Sequence, residues 1–250
     1  MRRRLDLSDT AAARSAPWWN DYVNDAAHGP LPALLLALTV ATGLVDAVSI
    51  LSLGRVFVAN MTGNVAFIGF ALAGAPGFSL AASLIALAGF LVGAGFGGIA
   101  VHRFDRNRGV LLRNAVALEL VMVASAAVLM AAADRPFSSG IRDTTVALAA
   151  IGLGLQNAAV RRLAVPDLTT TVLTMTLTGI AADLRSRNLR VVLRRSLSVT
   201  AMLVGALVGA LLILDVSVAS AMGVASGLIA VVLIGAIAAT RHDSPWQSGT

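Results

Sequence analysis

Residues 31–52 read LPALLLALTVATGLVDAVSILS, an apolar run whose single charge is Asp46. A helix needs about 20 apolar residues to cross the hydrocarbon core of a bilayer, so this stretch predicts a spanning helix with a carboxyl group inside it. The pattern recurs along the chain. Further apolar runs lie near 56–73, 79–101, 111–132 (containing Glu119), 144–160, 168–182, 196–214 and 216–239, which gives hydropathy up to eight crossings.

The composition agrees. The 250 residues are 57% hydrophobic, 13% charged and 5% aromatic, with a mean hydropathy of +0.83. Soluble domains carry about a quarter of their residues as charges, so an ordinary soluble domain is excluded. All 19 basic residues are Arg, and the net charge is +6. These Arg form short clusters between apolar runs, with no basic face interleaved with aromatics, so they read as membrane topology signals and no nucleic-acid partner is expected. Cys is absent, which removes disulfides, thiolate nucleophiles and Cys-based metal sites. Residues 1–29 read as a polar arm without a cleavable signal, since Arg2–Arg4 are followed by Asp6, Asp9 and Arg14, with Trp18, Trp19 and Tyr22 suited to the headgroup level. Residues 30–241 form a single transmembrane domain and 242–250 a polar tail.

Arg in short loops favours the cytoplasmic side. If all eight runs cross from an inside N-terminus, the Arg divide 12 inside to 7 outside. If runs 56–73 and 168–182 enter and leave on one side, the division becomes 16 to 3. The expected fold is therefore an all-α polytopic membrane protein with six spanning helices, two re-entrant or broken segments and cytoplasmic termini; eight spanning helices are the alternative.

An internal repeat points the same way. Gly43-Leu-Val-Asp46-Ala47 matches Gly154-Leu-Gln-Asn157-Ala158, Met61-Thr62-Gly63 matches Leu177-Thr178-Gly179, and Phe90-Leu-Val-Gly93-Ala94 with Gly97 matches Met202-Leu-Val-Gly205-Ala206 with Gly209, in one order and at nearly one spacing. The repeats cover about 31–133 and about 143–240. Three crossings in each would invert the second copy, a 3+3 inverted repeat of the kind that places a transport site near the midplane.

Asp46 and Glu119 lie too deep to reach water by snorkelling. A charge there costs at least about 2.5–3.5 kcal/mol, so such groups line a cavity, find a partner or remain protonated. They are the first candidates for a solute or ion pathway. Asn60, Thr62, Gly63 and Asn64 in one broken segment, and Thr169, Thr170, Thr171, Thr174, Thr176, Thr178 and Gly179 in the other, supply the remaining polar groups. On continuous helices Asn60 would share a face with Asn64, and Thr171 with Thr174 and Thr178, as rows that replace a solute's hydration shell. The alternative for the Thr hydroxyls is a bond back to their own helix. Gln156 and Asn157 complete the candidate pathway. Gly89, Gly93, Gly97, Gly205 and Gly209 recur every four residues and read as helix-packing positions.

His28, His102 and His242 lie in polar segments, and neither HExxH, GxSxG nor a P-loop is present. No catalytic activity, cofactor or metal is expected.

The words TGLVDA (42–47), FVANMTGN (57–64), GLQNA (154–158) and LTMTLTG (173–179) resemble those of the YoaK-like family of uncharacterised bacterial integral membrane proteins. The resemblance covers most of 31–239 and implies a bacterial inner-membrane protein. The second copy departs from the first in carrying Ile180 where Asn64 stands. The expected function is a transporter or channel for a small solute or ion, with the bilayer as partner and homo-oligomerisation left open. The competing reading is a non-transporting membrane scaffold whose polar residues hold helices together.

Overall fold

The computed structural model describes residues 25, 27–104, 107–183, 189–241 and 244–248. Residues 1–24 of the N-terminal arm, with Trp18, Trp19 and Tyr22, lie outside the described residues, as do Arg106, Arg185, Arg187 and His242. The architecture is all-α: α1 Leu31–Ser52, α2 Met61–Leu72, α3 Leu80–Phe104, α4 Arg108–Ala132, α5 Ser139–Leu163, α6 Thr174–Asp183, α7 Leu189–Asp215 and α8 Val218–Ala239, followed by a 3-10 turn at Pro245–Gln247.

Local chemistry sets the boundaries. Pro stands in the first turn of α1, where its missing N–H costs nothing. Asn107, Ser138 and Ser217 cap α4, α5 and α8 by accepting from the amides of Val110, Ile141 and Ser220. At its C-terminal end α5 stops at Ala164, which takes the left-handed conformation.

Helices α1, α3, α4, α7 and α8 are long and apolar enough to cross a membrane. Helix α5 matches α3 and α4 at 25 residues but carries Gln156 and Asn157. Helix α2, with 12 residues, and α6, with 10, are about 18 and 15 Å long, short of a hydrocarbon core of about 30 Å. The run at 56–73 thus becomes helical only from Met61, and the run at 168–182 only from Thr174.

Helices α1, α8, α4 and α5 form the centre, each packed on the next. Helix α3 lies outside α5 and α7 outside α1, while α2 and α6 rest on α3 and α7 respectively. Glycines bring the outer helices in. A Cβ on Gly93 would collide with the Ile151 carbonyl, and one on Gly205 with the Val40 carbonyl. Gly97 lies over Leu155 and Ala158, and Gly209 over Leu44 and Ala47. Facing them, Gly154 meets the Phe90 carbonyl and Gly43 the Met202 carbonyl, so both α3–α5 and α1–α7 have glycine on both sides of the seam. Backbone-to-backbone approach of this kind replaces the hydrophobic effect as the source of association in lipid.

Polar contacts gather five helix ends at one end of the bundle. Arg108 at the start of α4 donates to the Leu163 carbonyl at the end of α5 (2.6 Å) and to the Ala27 carbonyl before α1 (3.2 Å). Asp25 pairs with Arg194 near the start of α7 (3.2 Å). Gln247 donates to the Ala239 carbonyl closing α8 (3.0 Å) and accepts from Asn107 (3.3 Å), so residues 244–248 fold back, with the Trp246 ring against Gly29 and Gly109. Arg103, Arg161, Arg162, Arg195 and Arg241 lie at this Arg-rich end; Arg55, Arg135 and Arg142 fall at the other. Burial opposes ionisation of Asp25, but the Ala27 and His28 amides and the Arg194 guanidinium outweigh it and hold the carboxyl below its ordinary range. Burial and the nearby Arg108 charge hold His28 low as well. Both shifts make stability fall in acid: protonation of Asp25 gives up the bonds that favour its charge, and charging the half-buried His28 beside Arg108 is penalised.

The glycine seams carry a direct test. Gly93→Ala and Gly205→Ala should each lower thermal stability in detergent by about 1–3 kcal/mol through overpacking against backbone. Gly95→Ala and Gly98→Ala, where a Cβ meets nothing within 4 Å, should be neutral or stabilising because Ala favours helix. Equal effects at all four positions would remove the close-approach account.

Candidate functional site

Two irregular segments dip into the bundle. The first, residues 53–60, leaves α1 through Gly54 (φ 102°) and Arg55 (φ 57°) and buries Val56, Val58 and Ala59. Its amides need acceptors inside the protein. Asp46 provides one: its Oδ1 accepts from Val58 N (3.2 Å) and Ala59 N (3.3 Å). Asn64 provides the rest, accepting from Phe57 N (2.9 Å) and donating to the Phe57 carbonyl (2.6 Å). Gly63 is small because the Phe57 ring lies where its Cβ would be. Asp46 and Asn64 are buried, and both act here on backbone.

The second segment, residues 164–173, follows α5 with Ala164, Asp167 and Thr170 at positive φ. Asn157, the repeat counterpart of Asp46, donates to Thr171 Oγ1 (2.5 Å). Arg195 on α7 ties the segment to the far end of α6, pairing with Asp167 (2.7 Å) within it and with Asp183 (2.5 Å) at the end of α6. Gly179 lies under that guanidinium, where a Cβ would sit 2.5 Å from it.

Between the segments is a fully buried polar cluster. Glu119 on α4, Gln156 on α5, Thr42 on α1 and Thr170 of the second segment are each no more than 1% exposed. No cation is among them. The amide orientation that satisfies both ends of Gln156 places its nitrogen on Glu119 Oε1 (2.5 Å) and Oε2 (3.1 Å), while its oxygen accepts from the Thr42 (3.3 Å) and Thr170 (2.9 Å) hydroxyls. Thr42 stands one helical turn before Asp46, so this cluster and the first segment adjoin along α1.

The remaining predicted groups lie apart from these. Asn60 precedes α2 rather than sharing a helix face with Asn64, and it is exposed. Thr62, Thr174 and Thr178 are exposed too, Thr178 bonding back to the Thr174 carbonyl (2.9 Å). Thr171 precedes α6 and so forms no helical row with Thr174 and Thr178. Thr176 is buried. Gly89 faces the Ala147 carbonyl. Among the described residues, no group of three or more His, Asp or Glu is placed to hold a metal.

A pocket of about 290 Å³ opens at the Arg-rich end beside the second segment, with Asn157, Arg161, Leu168, Thr169, Thr171 and Val172 in its wall. Thr42 and Arg161 escaped notice as site residues in the sequence. The signal for Thr42 was its position four before Asp46; for Arg161, four after Asn157.

Residues 34–235 match the family described as "Protein of unknown function (DUF1275)". The chain is 31% identical over 187 residues to the UPF0700 transmembrane protein YoaK of Bacillus subtilis (strain 168), covering 71% of this chain and 82% of that protein. No solved structure matches. With the family match spanning most of the bundle and at least five helices able to cross, the chain belongs to the YoaK (UPF0700, DUF1275) family and is a multi-pass protein of the bacterial inner membrane.

Proposed function

We propose that the protein is a transporter or channel for a small solute or ion, without catalytic activity, built as a 3+3 inverted repeat with six crossings, two re-entrant segments and cytoplasmic termini. The observation that carries the transport reading is the buried Glu119–Gln156–Thr42–Thr170 cluster. A buried carboxyl group that meets a neutral amide and, among the described residues, no cation is costly in a purely structural bundle. It is the expected equipment of a proton-linked pathway.

The packing supports the repeat. Exchanging α1–α4 for α5–α8 carries the α1–α7 contact onto α5–α3, α4–α5 onto α8–α1, α2–α3 onto α6–α7, and α4–α8 onto itself. With α2 and α6 too short to cross, three crossings separate equivalent helices, which inverts the copies. The charge difference between the two ends supports an inward Arg-rich end.

The contacts of Asp46 favour a positioning role beside any part in the pathway. Asp46→Asn keeps an oxygen for the Val58 and Ala59 amides, whereas Asp46→Ala removes it. Asp46→Ala should therefore lose about 1.5–3 kcal/mol of stability in detergent, and Asp46→Asn much less. In liposomes that report dissipation of ion and pH gradients, Glu119→Gln should reduce flux at least tenfold while inserting normally. Wild-type protein that dissipates no gradient and gains no thermal stability across a broad ion and metabolite panel would leave the scaffold reading standing.

Single cysteines test the crossings, since the chain has none of its own. In intact cells an impermeant maleimide should label Pro76→Cys and spare Arg103→Cys. The opposite pattern would restore eight crossings.

A further inference from the structure

The pocket at the Arg-rich end has a composition that selects its ligand. Arg161 stands in its wall, exposed, and among the described residues makes no ion pair or hydrogen bond. The nearest acid of the segment, Asp167, is already engaged by Arg195 at 2.7 Å, so it does not offset that charge. Asn157, Thr169 and Thr171 supply polar atoms to the wall, and Leu168 and Val172 supply apolar surface. One free guanidinium, neutral hydrogen-bonding groups and an aliphatic wall match one ligand chemistry.

We propose that this pocket binds a small monoanion whose charged head meets Arg161 and whose short aliphatic body lies against Leu168 and Val172. A volume of about 290 Å³ accommodates a short carboxylate and excludes a large polyanion. Two sources share the chemistry, a free carboxylate and the headgroup region of an anionic lipid. The site is coupled by position to the buried cluster. Thr171 in the wall adjoins Thr170, whose hydroxyl bonds Gln156 at 2.9 Å, and Asn157 in the wall adjoins Gln156 itself. A ligand that draws on the Asn157–Thr171 pair therefore acts on the neighbour of Glu119. The proposal deepens the transport reading and rests on it for the ligand's passage, while binding is measured separately.

The probe is hexanoate, with hexylammonium and hexanol as controls, added to the full chain in lipid-free detergent while thermal unfolding and ligand-observed NMR are followed. Hexanoate should stabilise the protein and the controls should not. Arg161→Gln should weaken hexanoate binding at least tenfold, because it removes the charge at an exposed position without disturbing the fold, and Arg161→Lys should retain part of it, because Lys keeps the charge and loses the planar fork. Stabilisation by phosphatidylglycerol in mixed micelles without any by hexanoate, and lost in Arg161→Gln, would assign the site to a lipid headgroup. Equal stabilisation by hexanol, or hexanoate and lipid binding both unchanged in Arg161→Gln, would overturn the proposal. Hexanoate bound through Arg161 but not moved in liposomes would sink transport of this class and leave the binding site intact.

Discussion

Irregular backbone inside an apolar bundle must find its hydrogen-bond partners in the protein, and the two segments at 53–60 and 164–173 impose that demand on everything around them. Unpaired amides at that depth cost several kcal/mol each, so the helix passing each segment carries a polar side chain at the point of contact. On α1 it is Asp46, which takes two amides at once. On α5 it is Asn157, which reaches the Thr171 hydroxyl instead. The glycine seams answer a related demand: with no water to expel between helices, α3 and α7 are held by the close backbone approach that Gly93, Gly97, Gly205 and Gly209 permit.

Much of this was legible in the sequence because it depends on patterns along one helix. Apolar runs found the long helices, a glycine every four residues found the packing faces, and a lone carboxyl in an apolar run singled out Asp46 and Glu119. What remained hidden was anything decided between elements. The partners of Asp46 are backbone amides, which leave no mark in residue identity. Glu119 and Gln156 were both candidates, but their proximity joins α4 to α5 and has no local signature. Gly43 and Gly154 showed as repeat markers only, since the carbonyls they accommodate belong to α7 and α3. Thr62, Thr174 and Thr178 are exposed on α2 and α6, apart from the buried cluster, and the sequence hid that for a different reason. Which face a short helix presents depends on where it begins, and α2 begins at Met61, after the irregular backbone that the apolar run at 56–73 had concealed.

The two halves pack alike but differ in chemistry. Val45 precedes Asp46 where Gln156 precedes Asn157, and it is buried among apolar neighbours. The buried positions Leu111, Leu112, Ala115 and Glu119 of α4 align with Ala221, Met222, Ala225 and Ile229 of α8 at one spacing, so Ile229 stands where a second acid would be. The first half carries both acids, Asp46 at the loop contact and Glu119 on α4; the second carries the neutral Asn157 and Ile229 at the aligned positions. A symmetric pair of sites is therefore absent among the described residues.

This asymmetry has a mechanical consequence for the transport reading. Among the described residues it is the second segment that bonds the central cluster, through Thr170, and Arg195 ties that segment at Asp167 to the end of α6 at Asp183. Moving it would withdraw a hydroxyl from Gln156, the neighbour of Glu119. Moving the first segment would instead free the amides of Val58 and Ala59 from Asp46 and leave the Glu119 cluster complete. On the transport reading, the two segments would therefore not act as equal gates: movement of the second would reach the Glu119 cluster directly, and movement of the first would not.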